Sequence, residues 1–388
     1  DQHKEETIVE YDYERQKENF EEGIKTLKDA DSIVFSADIT NEESLLFQSL
    51  REKYGTKLIC PEAKAYQDFM KAYSSSSGYH IFEGDLDTLA ASNVVISFGA
   101  WFQHEETGAL SSVSQTLRES KSKFVYMHPI EDVTLQPSIT QFIKYEVGSE
   151  EGVAALLAHT LLEDKALPKV IEDILEDLDI GYLSAESNVG EEELESMHSL
   201  IGGEKTTSLI IGSDVYTHPK AEQIAKLIAL LEQYAGVNVL CVPPAKNALG
   251  VALICQLDDV PQSRSVIYVS CKEGTYVNVD KCVYINDDMQ PSDVDGLNNI
   301  ANALGLHAEN LIDYSNQLPQ DKGFQILSDD DFKKSCLYRL LPQEQLRDFT
   351  LAEIDDLPVY DGAVIYTYKV QNPVGEESEI QDVLSGSK

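Results

Sequence analysis

The strongest constraint on the fold is a succession of apolar strand, short turn, amphipathic helix and returning strand, which the chain repeats three times. In the clearest copy, the strand Leu209–Ile211 leads through Gly212 into a helix that Pro219 opens and Gly236 ends, and Val237–Val242 returns. Apolar residues recur along that helix every three or four positions and so share one face. Strands whose side chains are apolar on both faces of a sheet must be buried on both faces, and helices packed on each side of the sheet provide that burial. The pattern predicts an α/β fold with doubly wound parallel sheets.

Two earlier stretches repeat this arrangement. In each, a buried-looking strand is followed by a helix and by a second strand, and glycines such as Gly55 and Gly99 mark the turns. The predicted elements are strands at 33–36, 57–60, 94–98 and 124–127, with helices over about 41–53 and 107–120.

The charge balance restricts the partners. The chain has 30 basic and 68 acidic residues, which gives a formal charge of −38. A field of this sign repels nucleic acid backbones and anionic lipid surfaces. We therefore expect no nucleic acid partner and favour a basic surface on another subunit.

Several classes of site are absent from the sequence. There is neither a Gly-rich phosphate loop nor a nucleophile elbow, and histidines show no metal-ligand spacing, so we predict no catalytic and no metal-binding residue. The six cysteines form no C-x-x-C pair and several lie in apolar runs, which favours buried reduced thiols. No run of 18 apolar residues occurs, so we expect no direct membrane insertion. The polar start without Met favours part of a longer protein.

The order of several short motifs resembles the molybdopterin oxidoreductase family. The resemblance implies a fold like domains 1–3 of formate dehydrogenase and DMSO reductase, built from two Rossmann-like halves. It spans roughly residues 25–345. The motifs that carry it are Ala30–Val34, Thr40–Ser44, Tyr54–Thr56, Ser92–Ala100, Asn247–Gly250, Glu273–Asn278 and Ile300–Gly305.

This resemblance also divides the chain into five parts. They are a polar segment (1–24), a first Rossmann-like α/β domain (25–165), a second Rossmann-like α/β domain (166–265), a returning segment that completes the molybdopterin-type core (266–345) and a carboxyl-terminal tail (346–388).

One branch of the family is the most similar. Ile211–Pro219, together with the two last motifs, resembles the large iron–sulfur subunit of NADH–quinone oxidoreductase, respiratory complex I. The resemblance implies other peripheral-arm subunits as partners and a cytoplasmic location, peripheral to the cytoplasmic membrane. It also implies that iron–sulfur clusters belong to amino-terminal modules outside this chain.

Departures from the family concern the cofactor. Tyr66 lies near the place of the molybdenum ligand, and His128 replaces an aspartate. The family's Gly-x-Asn-Pro turn begins here at Gly99, with Trp101 and Phe102 at its Asn and Pro positions. Acidic residues follow these turns: Glu105, Glu106, Glu131 and Asp132. We therefore expect no cofactor in this chain, only a vestigial cleft. The candidate cleft residues are Gly99, Trp101, Tyr66, His128, Gly212, Asn247 and Gly250.

Three functions compete. The first is a cofactor-free structural domain of that large iron–sulfur subunit, which supports assembly of the arm that carries electrons from NADH to quinone. The second is a fragment of an active molybdopterin oxidoreductase. The third is an unrelated α/β ligand-binding protein, with a pocket near Gly99, Gly212 and Asn247.

Overall fold

A computed structural model describes residues 2–103, 108–203, 205–286, 296–306, 309–354, 357–358, 363–371 and 377–385. Glu105 and Glu106, which the sequence places near a vestigial cleft, lie outside these ranges. The chain forms two compact units, each built from two stretches. Unit 1 combines Asp1–Gln67 with Ala245–Leu341, and unit 2 combines Asp68–Pro244 with Pro342–Lys388. The five-part division by sequence position stays a prediction.

Helices and strands alternate over most of the described chain. The helices are α1 (Gln2–Asp29), α2 (Asn41–Tyr54), α3 (Pro61–Ser77), α4 (Leu86–Ala91), α5 (Gly108–Glu119), α6 (Glu150–Leu162), α7 (Lys169–Glu176), α8 (Ile180–Ser187), α9 (Glu191–Ile201), α10 (Ser213–Tyr216), α11 (Ala221–Ala235), α12 (Ala248–Ile254), α13 (Leu297–Ala303) and α14 (Leu311–Ser315). The strands are β1 (Ser32–Val34), β2 (Lys57–Ile59), β3 (Val94–Phe98), β4 (Lys123–Met127), β5 (Ile139–Ile143), β6 (Thr207–Ile211), β7 (Asn238–Cys241), β8 (Ser265–Ile267), β9 (Thr275–Val277), β10 (Cys282–Ile285), β11 (Tyr338–Arg339), β12 (Ala363–Gln371) and β13 (Glu377–Ser385).

Unit 1 contains two small sheets. Strands β2, β1 and β8 form a parallel sheet in that order, and Ile33 of β1 pairs with Leu58 and Val266. Strands β11, β10 and β9 form an antiparallel sheet. Helix α2 follows β1 and begins at a capping box, in which Thr40 accepts from the Glu43 amide while the Glu43 carboxylate accepts from the Thr40 amide. This reciprocal pair fixes the start of the helix.

Unit 2 is built on a five-stranded parallel sheet in the order β5-β4-β3-β6-β7. Every residue of the central strands β3 and β6 is buried, as their continuous apolar sequence requires. From β3 the chain proceeds outward to β4 and β5, whereas β6 and β7 lie on the other side of β3. The direction of winding therefore reverses between β3 and β6. The carboxyl edge at such a reversal is where open α/β sheets place their ligands.

The prediction of an α/β fold with parallel sheets is confirmed. All three repeats are present as β1-α2-β2, β3-α5-β4 and β6-α11-β7. The last copy matches the apolar stripe of the sequence, because Ile224, Leu227, Ile228 and Leu231 are fully buried. Such burial stabilises the fold by about 1.5–3 kcal/mol per side chain.

The cysteines differ in part from the expectation of six reduced thiols. Cys282 and Cys336 form a disulfide, so the expectation is wrong for this pair. The sequence does not indicate this pairing, because the two residues are 54 positions apart. The other four cysteines are free, and three of them are buried.

Within the described part of the chain, no helix is both long enough and apolar enough to cross a membrane.

Candidate functional site

The candidate site lies at the carboxyl edge of the five-stranded sheet of unit 2. Gly99 directly follows β3, His128 follows β4 and Gly212 follows β6. Because parallel strands end at the same edge, these three turns are neighbours. Two further groups, Tyr145 after β5 and Asp214 after β6, belong to the same edge.

The turns at Gly99 and Gly212 are packed against each other. Gly99 has a φ of +69°, a left-handed conformation that favours glycine. The Gly212 amide donates to the Phe98 carbonyl (3.0 Å) and the Asp214 amide donates to the Gly99 carbonyl (3.3 Å). A Cβ on Gly212 would overlap the Gly99 carbonyl oxygen and Ala100. Both glycines thus permit a backbone approach that fixes where Asp214 projects.

His128 and Asp214 form an oriented pair. His128 Nδ1 lies 2.9 Å from the Ile130 amide nitrogen and 3.0 Å from the Ile130 carbonyl oxygen, and the amide, which can only donate, is directed at Nδ1. The ring proton is therefore assigned to Nε2, which donates to Asp214 Oδ2 at 3.0 Å. The His128 side chain is completely buried, while that of Asp214 is 18% exposed. The structure thus holds the His128 imidazole in one orientation against the Asp214 side chain at the rim of the site.

Aromatic rings enclose this imidazole. Trp101 stacks on His128 with ring centroids 6.0 Å apart, and Tyr126 stacks at 5.7 Å. Tyr145 contacts the ring edge-on at 6.5 Å. Trp101 is itself buried, so the rings exclude water from the imidazole and restrict its rotation. Electrostatic interactions are stronger in such a shielded environment than at a wet surface.

A second histidine pairs with a second acid. The Lys220 amide donates to His218 Nδ1 (3.0 Å), so the ring proton lies on Nε2 and is donated to the Gly148 carbonyl at 2.9 Å. Glu150 Oε2 lies 3.3 Å from that Nε2 without receiving a hydrogen bond from it. Burial lowers the pKa of His218, and burial together with the charge of Asp214 raises the pKa of Glu150 to about 8. At neutral pH the contact therefore joins two uncharged groups rather than an ion pair.

Two polar atoms at this edge are buried and unsatisfied. Glu150 Oε2 and Tyr145 Oη have no hydrogen-bond partner among the described residues. Burial first, and then the charges of Glu150 and Asp214, raise the pKa of Tyr145 well above its usual range, so its hydroxyl stays protonated. Buried polar groups without partners are uncommon and often mark a functional position. The edge accordingly offers two proton donors in addition to the two histidines.

The arrangement is suited to acid–base chemistry. It combines the neutral imidazole of His218, the Glu150 carboxyl with a pKa raised to about 8 and a shielded surrounding, which are the properties of general acids and bases. Within the described residues, no three histidine, cysteine or acidic side chains converge in a way that could hold a metal ion.

Asn247 and Gly250 lie together in unit 1, where they tie three segments. Asn247 Nδ2 donates to the Ile39 carbonyl (2.8 Å) and to Asn41 Oδ1 (3.0 Å), and its Oδ1 accepts from the Val277 amide (2.8 Å). A Cβ on Gly250 would overlap the side-chain oxygens of Asn41 and Asn247. The side chain of Asn247 is completely buried with all these bonds satisfied. The contacts of these residues are those of a structural junction.

The start of helix α2 in unit 1 is occupied by the chain's own acids. The fully buried Glu42 carboxylate accepts from the Thr275 amide (2.6 Å) and from Ser315 Oγ (2.7 Å). Burial raises its pKa despite these bonds. The Glu43 carboxylate accepts from the Tyr268 hydroxyl and the Cys271 amide. The carboxylates of the chain itself thus occupy the start of the helix, a position that can otherwise bind an anion.

The residues that the sequence grouped in one cleft belong to both units. Gly99, Trp101, His128 and Gly212 lie in unit 2, whereas Tyr66, Asn247 and Gly250 lie in unit 1. Tyr66 is completely buried in α3. That these residues are the remains of a cofactor cleft stays a prediction.

Four residues of the edge were not predicted: Tyr145, Glu150, Asp214 and His218. In the sequence, His218 is distinguished only by its position before Pro219. The available signal was position, because polar residues within a few places of a buried parallel strand's carboxyl end converge at one edge.

Comparison with known proteins identifies relatives among the oxidoreductases. No family model matches the chain. It is 24% identical over 208 residues to the "NADPH-Fe(3+) oxidoreductase subunit alpha" of two strains of Geobacter sulfurreducens, a match that covers 50% of this chain and 24% of the relative. The chain thus spans about a quarter of the length of the curated relatives it matches. Among solved structures, acetylene hydratase from Pelobacter acetylenicus matches 57% of this chain and 32% of its own, with 9% identity and a TM-score of 0.44. A score this low does not by itself establish a shared fold.

These findings correct three expectations. The relative found by sequence is an NADPH-Fe(3+) oxidoreductase subunit, not a subunit of respiratory complex I, so the assignment to the large iron–sulfur subunit of that complex is wrong. The predicted role of a structural domain in the complex I arm is therefore wrong as well. The expectation that the chain takes no cofactor, which rested on departures from the family motifs, is contradicted as well, because the relative is named as an oxidoreductase.

Proposed function

We propose that this chain is part of an oxidoreductase subunit with a molybdopterin-type fold. The observation that carries the proposal is the similarity over half of the chain to the alpha subunit of an NADPH-Fe(3+) oxidoreductase. The parallel sheets flanked by helices support it, as does the order of the family motifs along the sequence.

Within such a subunit, the carboxyl edge of unit 2 would be an acid–base site. Reduction of an oxidised centre adds negative charge, and nearby groups that release or bind protons can balance it. The neutral Glu150 carboxyl can donate a proton from a shielded position, and the neutral His218 can accept one. The pair formed by His128 and Asp214 holds a second imidazole in a fixed tautomer.

Neither the edge of unit 2 nor the start of α2 fits a phosphate-bearing pterin nucleotide. In unit 2 the turns at Gly99 and Gly212 are packed against each other, and the edge presents Asp214 and the neutral Glu150 carboxyl where a phosphate needs cations. In unit 1, Glu42 occupies the start of α2. No step is therefore derived through that group. Because the chain spans about a quarter of its relative, the proposal concerns the assembled subunit.

A second candidate is binding of a small polar molecule at the same edge. The unsatisfied Tyr145 Oη and Glu150 Oε2 favour it, since a bound hydroxyl or amide could satisfy both. Variants Tyr145→Phe and Glu150→Gln would then lose ligand-induced thermal stabilisation, while the exposed control Glu192→Gln would keep it.

The main proposal is tested on protein from its native host. The chain is affinity-tagged at its gene, the assembly is purified, and its subunits, molybdenum content and oxidised-pterin fluorescence are determined. The proposal expects redox subunits and a pterin signal in constant ratio to the tagged chain. An assembly free of molybdenum, pterin and any redox subunit contradicts it. The control is the same purification from the untagged host.

A further inference from the structure

The disulfide of unit 1 joins the paired strands β10 and β11 at their edge. Cys282 opens β10, Cys336 precedes β11, and their Cα atoms are 5.9 Å apart. Strand β11 has only two residues. Beside it, the Leu337 amide donates to the Val283 carbonyl and the Leu340 amide to the Lys281 carbonyl, each at 2.8 Å. A strand this short depends strongly on a covalent tie.

The two sulfurs differ in access. Cys282 is 6% exposed, whereas Cys336 lies on the surface. Thiol–disulfide exchange needs an approach to one sulfur and the departure of the other. A reductant can therefore reach Cys336 while Cys282 remains the leaving group.

The remaining cysteines are poor competitors for this chemistry. Cys60, Cys241 and Cys255 are buried, and burial raises the pKa of Cys255 to about 12. Burial and the charge of Glu43 raise the pKa of the half-buried Cys271 to about 12 as well. The thiolate is the reactive form, so these thiols stay inert near neutral pH.

The segment that the disulfide closes also carries hydrogen-bond donors to two acidic side chains, the buried Glu42 and the half-buried Glu273. Ser315 Oγ donates to the fully buried Glu42 carboxylate (2.7 Å), and the Leu297 amide donates to Glu273 Oε2 (2.6 Å). Both donors lie between Cys282 and Cys336 in sequence. Opening the disulfide removes the covalent constraint on the segment that makes these contacts with Glu42, at the start of α2, and with Glu273.

From this arrangement we propose that Cys282–Cys336 is a reversible redox-modification site, opened by a dithiol reductant, whose opening releases β11 and loosens the contact of Ser315 with Glu42. A reductant thiolate attacks the Sγ of Cys336 and forms a mixed disulfide, while the Cys282–Cys336 bond breaks and Cys282 leaves as a thiolate that takes up a proton. The second reductant thiol then displaces Cys336 as a thiol. The reductant is oxidised to its disulfide by two electrons, and the cysteine pair is reduced by two. This proposal is independent of the proposed function.

The test uses the full chain with dithiothreitol as the probe, under native conditions. After each reductant step, iodoacetamide alkylation is mapped by mass spectrometry and amide hydrogen exchange is measured at Leu337 and Leu340. We expect Cys282 and Cys336 to be alkylated only after reduction and before the other four cysteines. The two amides should then exchange at least tenfold faster, Tm should fall by several degrees, and reoxidation should restore both.

Two results would overturn the proposal. One is alkylation of both cysteines without reductant, which means that the bond is absent. The other is unchanged amide exchange and unchanged Tm after full reduction, which means that the disulfide stabilises neither β11 nor the folded chain. The double variant Cys282→Ala/Cys336→Ala should match the reduced protein, and Cys271→Ala is the matched control. If the double variant fails to fold, the reductant titration of the natural chain still decides.

Discussion

At the residue scale, the pair formed by Glu150 and His218 shows how burial decides charge. Each side chain is 7% exposed, and desolvation disfavours the ionised form of both. The pKa of the acid therefore rises and that of the imidazole falls. Two groups that would form an ion pair at the surface remain neutral here, ready to exchange protons.

The raised pKa of Glu150 makes stability depend on pH. Between its ordinary pKa of 4.5 and its folded value of about 8, the folded chain keeps a proton that the unfolded chain has lost. Stability contributed by this group is therefore full below pH 4.5 and is lost as pH rises toward 8, by about 1.4 kcal/mol per pH unit. The variant Glu150→Gln mimics the protonated acid, so its free energy of unfolding should lack this part of the dependence on pH. The measurement is urea unfolding at a series of pH values from about 5 to about 8.

The exposed acid Glu192 supplies the control, since Glu192→Gln should leave the slope unchanged. If Glu150→Gln and the natural chain lose stability in parallel over this range, the buried carboxyl is ionised and the description of the site is wrong.

Gly212 is the residue on which the geometry of the edge depends. In Gly212→Ala the new methyl group overlaps backbone atoms of Gly99 and Ala100, which cannot move aside as a side chain could. We expect a loss of about 1–3 kcal/mol in the free energy of unfolding. Gly108→Ala is the control, because a Cβ there meets nothing within 4 Å and alanine favours a helix. Equal stabilities of the two variants would refute the close approach.

At the element scale, the sequence predicted the parts that periodicity governs. The three strand–helix–strand repeats appear where continuous apolar runs and helical stripes placed them. The antiparallel sheet of β9, β10 and β11 was not predicted, because strands of two to four residues carry too few positions to show a period. The disulfide was missed for a related reason, since pairing across a long separation leaves no local pattern.

The candidate site was predictable only in part, for the same physical reason. His128 and Trp101 could be singled out because they replace residues of a family motif. Asp214, Glu150 and Tyr145 come from other turns, and only the order of strands in the sheet brings them to one edge. Strand order is a long-range property that a single sequence does not display.

Asn247 joins elements of unit 1, so its removal should affect the whole unit. Asn247→Ala leaves the Val277 amide and the Ile39 carbonyl buried without this partner. We expect a loss of about 2–4 kcal/mol in the free energy of unfolding, since each unsatisfied group costs about 1–3 kcal/mol. Asn19→Ala, at an exposed position of α1, should change stability by less than about 0.5 kcal/mol in the same urea titration. A mild effect at Asn247 would mean that water replaces its bonds.

At the scale of the whole molecule, charge is the dominant property. A formal charge of −38 opposes self-association and anionic partners, and it favours a partner with a basic surface. Binding to a partner through this electrostatic attraction should weaken as salt is added, because exposed charges are screened within about 10 Å at about 0.1 M ionic strength. These expectations agree with a subunit that works inside a larger assembly.

Membership of an oxidoreductase is tested most directly by electron transfer. The assembly captured through the tagged chain is reduced stepwise with dithionite and reoxidised, and its visible absorbance and electron paramagnetic resonance signals are followed against a mock capture from the untagged host. We predict a reversible redox signal that scales with the amount of captured chain and whose midpoint potential depends less on pH when Glu150→Gln or His218→Gln replaces the natural residue. An assembly that contains the intact chain and its partners but shows no reversible redox signal would contradict this membership.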